Sequence, residues 1–322
     1  MARLNYETAD TLVYDPVAAH RTATRAVLFT LGFRNIETVG TVEAFSEAIR
    51  KRSPDLALCE ARGADAELCE MIQSLRQGTG GHDNPFLVII VTAWEKTNTL
   101  VGRVLNSGAD DLVLRPFSTT LLRTRIDTLA ERRKRFVITH DYVGPDRRVE
   151  TERTGEVELF EPPNSLKMKA KDGLSLEEVS SRLGEQLKSA RSTLNTGKLR
   201  RDAFQIGILW RLLQERDAPG YDHHLAKLAK MTQAVAKRCR DTEFEPGVQL
   251  CESIQAAVTG LESEDGNTAS IQLLGKSALQ LIQVLDPEKG AEAQLRAIET
   301  TAEMIRSRQK SQAPLAPTSV SA

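Results

Sequence analysis

Four polar side chains stand where short apolar runs end. Asp15 follows Leu12-Val13-Tyr14, Glu60 follows Leu56-Ala57-Leu58-Cys59, Thr92 follows Val88-Ile89-Ile90-Val91, and Arg115 follows Leu112-Val113-Leu114. Two carboxylates, a hydroxyl and a guanidinium are the side-chain types that phosphoryl chemistry on a carboxylate uses. In that chemistry one carboxylate attacks, and a divalent cation held by acidic groups neutralises the phosphate. A hydroxyl and a fixed positive charge then hold the product. The plainer alternative is a Glu–Arg pair that only satisfies charges at the edge of a sheet.

Elements that bring these residues together follow from the spacing of the apolar positions. Runs 11–14, 35–39, 55–59, 86–92 and 111–114 are rich in Val, Ile and Leu and bounded by turn-forming or charged residues. They read as strands buried on both faces. Between and after them, stretches 17–31, 42–52, 65–76, 97–107 and 118–135 carry apolar residues at threes and fours, as in Leu121, Leu122, Ile126 and Leu129. Thr41 and Ser118 are placed as helix starts. The alternation predicts an α/β domain, a doubly wound five-stranded parallel sheet, over residues 1–135. Ligands in such sheets sit beyond the carboxyl ends of the strands, so Asp15, Glu60, Thr92 and Arg115 are predicted to share one site.

Residues 10–135 resemble the receiver domains of response regulators, which have a flavodoxin-like fold. The likeness is carried by Ser53 to Glu60, by Val88 to Ala93 with its Thr-Ala end, and by Gly108-Ala109-Asp110-Asp111 followed by Arg115-Pro116-Phe117. It implies that Glu60 occupies the phosphoacceptor position. Asp15 and Pro16 would stand at the paired metal-binding acids, Thr92 at the hydroxyl and Arg115 at the lysine. Arg62 would stand where the family offers a backbone carbonyl to the metal, and Leu112 at a position where many receivers have a switching aromatic ring. The departures are chemical. Pro16 removes a carboxylate from a cation site that depends on oxygen ligands. Glu60 is one methylene longer than aspartate, which moves its oxygens outward by about 1.5 Å, and in-line attack tolerates little displacement. Arg115 presents a planar fork suited to a carboxylate. Glu60 is therefore expected to pair with Arg115, with Thr92 joining, in partial imitation of a phosphorylated pocket.

Composition excludes several classes. The chain has 322 residues, 40% hydrophobic and 27% charged, with a formal net charge of −1, giving no general footprint for nucleic acid. Cys59, Cys69, Cys239 and Cys251 lack the spacing of a zinc site or disulfide framework and read as reduced thiols. No run approaches the ~18 apolar residues of a membrane span, and the N-terminus lacks a signal-peptide core, so a cytoplasmic location is expected.

Residues 136–173 read as an irregular linker, with a short extended piece and a Gly144-Pro145 turn. The basic run Arg132 to Arg135 reads as charge complementing the end of the preceding helix. Arg147 and Arg148 are spaced to clamp a nucleotide phosphate, although the companion motif of cyclic-dinucleotide binders is absent.

From 174 to 310 the pattern becomes all-helical, a bundle, with residues 311–322 as a disordered tail. A capping box at Ser175 and Glu178 opens the first helix, which is expected to break at Asn195 to Gly197. Further helices are expected over 198–216, 221–241, 247–263, 267–285 and 288–310. Trp210 with Ile206, Leu209, Leu212 and Leu213 forms a broad apolar stripe. His224 and Lys227 match the spacing of histidine phosphotransfer domains, but Leu228 replaces the small residue that admits a partner.

The expected function is a non-enzymatic, two-component-type signalling adaptor acting through protein–protein contact without normal aspartyl phosphorylation. No cofactor is expected, and magnesium would be held weakly, by Asp15 at most. Partners would be other signalling proteins or a second copy of the chain, with no nucleic acid and no membrane. The alternative is a phosphorelay component that accepts or passes a phosphoryl group through Glu60 or His224.

Overall fold

The structure is a computed structural model and describes residues 4–79, 81, 84–139, 142–147, 159–262 and 268–312. Two compact units divide the chain, Met1–Leu194 and Asn195–Ala322.

In the first unit, strands β1 (Asp10–Tyr14), β2 (Asn35–Val39), β3 (Leu56–Glu60), β4 (Val88–Ala93) and β5 (Asp111–Leu114) alternate with five helices. These are α1 (Ala18–Leu31), α2 (Val42–Arg52), α3 (Asp65–Arg76), α4 (Asn98–Ser107) and α5 (Thr119–Glu131). All strand pairs are parallel, in the order β2-β1-β3-β4-β5. This is the doubly wound arrangement expected from the alternation, with its switch point between β1 and β3.

Period-two alternation distributes the core to both faces of the sheet. Leu12, Ala57, Cys59, Ile89 and Val91 meet Phe45, Ile72 and Val104 of α2, α3 and α4. Val13, Leu56, Leu58, Ile90 and Val113 meet Leu28, Leu122 and Ile126 of α1 and α5. Each fully buried aliphatic side chain of this kind contributes about 1.5–3 kcal/mol of transfer free energy. Helix starts fall where Thr41 and Ser118 were placed: Thr41 accepts from Ala44 N at 3.2 Å and Ser118 from Leu121 N at 3.1 Å.

The connection after α5 is more ordered than its composition implies. β6 (Phe136–Ile138), β7 (Val143–Pro145) and β8 (Leu159–Phe160) form an antiparallel sheet in the order β7-β6-β8, followed by α6 (Ser165–Ala170). Three aromatic rings hold it, with Phe86, Phe136 and Phe160 meeting edge to face at 5.5–6.1 Å. Gly108, with φ +86°, ends α4 so close to β7 that a Cβ there would lie 2.3 Å from the Val143 carbonyl oxygen. Lys169 of α6 pairs with Asp55 at 2.6 Å. Segments apart in the sequence supply each of these contacts, so a local reading of 136–173 as irregular could not see them.

Helix α7 (Leu176–Leu212) opens on the expected capping box, with Ser175 N bonded to Glu178 Oε2 at 2.9 Å. It runs for 37 residues through Asn195 to Gly197 without the expected break. A helical glycine costs only about 1 kcal/mol, and Leu194, Lys198 and Leu199 beside it are all buried. The division between the two units falls inside this helix.

The second unit continues with α8 (Tyr221–Cys239), α9 (Pro246–Glu262), α10 (Thr268–Leu285) and α11 (Ala291–Gln312). Its core includes Ile206, Leu209, Leu228, Ile254, Leu281 and Ile298. Trp210 lies over Gly275, where a Cβ would approach the indole to 2.5 Å. The apolar stripe around Trp210 is thus bundle core. Among the described residues no helix is long and apolar enough to cross a membrane. All four cysteines are free and buried.

Candidate functional site

Parallel register builds the pocket. Glu60 and Thr92 are direct partners across β3 and β4, so the last residue of one strand faces the hydroxyl of the next. Tyr14 pairs with Cys59, which sets Asp15 beside Glu60 just past the end of β1. Leu114 pairs with Ala93, and the Arg115 N–H still donates to the Ala93 carbonyl at 2.7 Å, so Arg115 enters from the far side. These residues are gathered at the carboxyl ends of the strands.

A single guanidinium organises them. Arg115 Nε donates to Glu60 Oε2 at 2.7 Å and to Thr92 Oγ1 at 3.2 Å. Its Nη2 donates to Thr24 Oγ1 at 3.0 Å and lies 3.3 Å from Asp15 Oδ2, within ion-pair distance but without hydrogen-bond geometry. Thr92 Oγ1 donates in turn to Glu60 Oε2 at 2.7 Å, and the Arg62 N–H donates to Glu60 Oε1 at 3.1 Å. Asp15 Oδ1 accepts from the Val17 N–H at 2.9 Å. Asp15, Glu60 and Thr92 are all at most 1% exposed. Arg115 places its guanidinium 4.9 Å from the centre of the Phe117 ring. With so little water present, charge-assisted bonds of this kind are roughly twice as strong as neutral ones.

The rim adds residues that carried no signal in the sequence. His20 of α1 has Nδ1 3.6 Å from Asp15 Oδ1, and its ring lies 5.1 Å from that of Trp94. Arg21 donates to the Asp15 carbonyl at 2.6 Å. Thr24 was equally hidden, because a lone buried threonine inside a helical stretch looks like any other core-facing position. Pro16 and the Arg62 side chain are exposed, so only the Arg62 backbone takes part.

Leu112 and Arg147 of the same unit take no part in this pocket. Leu112 is half-buried and packs against the core on the α2–α4 side of the sheet. Arg147 donates through Nη2 to the Ala109 carbonyl, which commits it to holding β7, while Arg148 lies outside the described residues, as does the tail from 313 onward. His224 and Lys227 are half-buried in the first turns of α8, with His223 exposed beside them. Burial lowers the His224 pKa, and the nearby His223 and Lys227 lower it further.

A second ionic cluster lies just before the starts of β4 and β5. Arg76 and Asp110 are buried and paired at 2.9 Å, and Arg133 binds Asp110 through Nε at 2.8 Å and Nη2 at 3.0 Å. Both arginines also donate to backbone carbonyls, Arg76 to Pro85, Leu87 and Gly108, Arg133 to Phe86, Leu87 and Pro163. Burial lowers the Arg76 pKa to about 10, opposed by Asp110 and assisted by Arg133, so the guanidinium stays charged near neutral pH. The basic run after α5 therefore divides: Arg132 stands at the helix end as the C-cap, while Arg133 is committed elsewhere. The helix stops at Glu131 and Arg133 turns inward to Asp110.

No family model matches the chain, and no curated protein matches it. Solved structures similar to part of it include receivers. One is a signal receiver domain of a two-component histidine kinase from Clostridium thermocellum, 17% identical, with a TM-score of 0.34 over 38% of this chain and 98% of that one. Another is a CheY-like receiver domain protein from Methanospirillum hungatei JF-1, 21% identical, with a TM-score of 0.33 over 37% of this chain and 90% of that one. A response regulator from Thermotoga maritima is 20% identical, with a TM-score of 0.33 over 38% and 97%. The fold itself rests on the strand order and register given above.

Proposed function

We propose that this protein is a two-component-type signalling component whose N-terminal α/β unit is a degenerate receiver. It acts by protein–protein contact without phosphorylation of its own, and is not an enzyme. The helical unit serves as docking or output module for other signalling proteins or a second copy of the chain. One observation carries the reading: the Glu60 carboxylate accepts from both Thr92 Oγ1 and Arg115 Nε at 2.7 Å. Those donors are of the kind that would hold a phosphoryl group on a carboxylate, and here the carboxylate itself satisfies them. A carboxylate carries less charge and fewer acceptor oxygens than a phosphoryl group, so the imitation is partial. Its being 1% exposed further disfavours attack on a phosphodonor.

The test is incubation with acetyl phosphate and magnesium, read by intact mass, with Glu60→Asp alongside. The native chain is expected to gain no adduct. A stable adduct on Glu60 or His224 would instead establish the phosphorelay alternative, and peptide mapping separates the two sites.

A further inference from the structure

A working receiver pocket implies a divalent cation, and the residues present do not fit one. Pro16 brings no carboxylate, and the two acids that remain are already bridged. Arg115 places Nη2 3.3 Å from Asp15 Oδ2 and Nε 2.7 Å from Glu60 Oε2. A magnesium ion sharing these carboxylates would need oxygen ligands at about 2.0–2.1 Å in near-octahedral geometry. It would have to displace a guanidinium whose side chain is only 8% exposed. That guanidinium is anchored to α1 as well, because Nη2 donates to Thr24 Oγ1 at 3.0 Å. Thr24 is 1% exposed, so its hydroxyl meets almost no water.

We propose that Arg115 is the resident cation of this pocket, performing the work of both the divalent ion and the family's lysine, with Thr24 as the residue that positions it. Two consequences follow. The native chain takes no divalent ion at Asp15 and Glu60. Removing the guanidinium leaves two buried carboxylates without a cation and uncovers a latent site for one. The inference rests on the receiver reading for its choice of ion, but it can fail separately from it. An acetyl phosphate adduct would overturn the unphosphorylated reading, whereas metal on an unlabelled native chain would overturn only this one.

The experiment is a titration with Mn2+, with free ion read by electron paramagnetic resonance and the summed emission of Trp94 and Trp210 followed in parallel. It compares the native chain, Asp15→Asn, Arg115→Met, and Arg115→Met combined with Asp15→Asn. The expected result is that Asp15→Asn leaves the native binding curve unchanged. Arg115→Met is expected to gain affinity by about tenfold or more, and the gain is lost when Asp15→Asn is added. If Arg115→Met does not fold, Arg115→Lys replaces it, since a single ammonium cannot bridge both carboxylates as the fork does. Saturable binding by the native chain that Asp15→Asn abolishes would overturn the proposal. So would a folded Arg115 variant with no gain.

Discussion

Replacing Arg115 with methionine keeps an unbranched stem and removes the guanidinium. The loss is large because of where the charges sit. Asp15 is fully buried and Glu60 nearly so, and Arg115 is ion-paired with both. Removing one partner of a buried pair costs about 3–5 kcal/mol, because the orphaned charge loses compensation without regaining water. For a unit the size of Met1–Leu194 each kcal/mol lowers Tm by about 2–4 °C, so a drop on the order of 10 °C is expected. Arg125→Met is the control: Arg125 is half-exposed and stands 3.5 Å from Asp111. Its loss should cost about 1 kcal/mol or less. Urea and thermal unfolding of the full chain at neutral pH, followed by far-UV circular dichroism, reads both. Adding Glu60→Gln to Arg115→Met should return part of the stability, with a coupling of about 1–3 kcal/mol. An Arg115→Met cost no greater than that of Arg125→Met would refute the reasoning and mark the pocket as solvated.

Asp110→Asn should be as costly, about 3–5 kcal/mol, since it strands the buried guanidinium of Arg76 and that of Arg133 together; equilibrium denaturation checks this. Gly108→Ala should destabilise the same unit by more than about 2 kcal/mol, because the position combines φ +86° with a contact of 2.3 Å to backbone. In the second unit, burial first and Arg238 next lower the Lys198 pKa from 10.5 to about 8 against the pull of Asp202. A lysine lowered in this way binds fewer protons folded than unfolded between those values. Its penalty is therefore full below pH 8 and is relieved as pH rises towards 10.5. Lys198→Met should be more stable than the native chain at pH 7 by up to roughly 3 kcal/mol, 2.5 pKa units at 1.36 each. The advantage should shrink between pH 8 and 10.5. A variant less stable at pH 7, with a gap indifferent to pH, would show that the ammonium is not desolvated.

The legible features were those that repeat locally. Val, Ile and Leu runs bounded by turns mark the sheet, and the ends of those runs place Asp15, Glu60, Thr92 and Arg115 together. The pairing of Glu60 with Arg115 followed from side-chain length and the geometry of a planar fork. Thr24 was illegible because its role exists only once α1 packs beside the strand ends. Arg133 was misread for a related reason. A basic run after a helix matches the helix dipole, and only the fold brings Asp110 and Arg76 to meet it. Gly197 looked like a helix stop since propensity is local, whereas the burial of Leu194 and Leu199 that carries the helix through it is tertiary.

The central claim is that the Glu60 carboxylate is held in place by the side chain of Arg115. Amide-type 1H–15N spectra of the uniformly labelled chain can observe the Arg115 Nε–H itself, assigned by its disappearance in Arg115→Lys. The expected result is a resolved Nε–H resonance that persists after transfer to D2O, as a buried 2.7 Å bond requires, and that loses its protection in Glu60→Gln. A resonance that exchanges at once in the native chain, or that Glu60→Gln leaves unchanged, would contradict the claim.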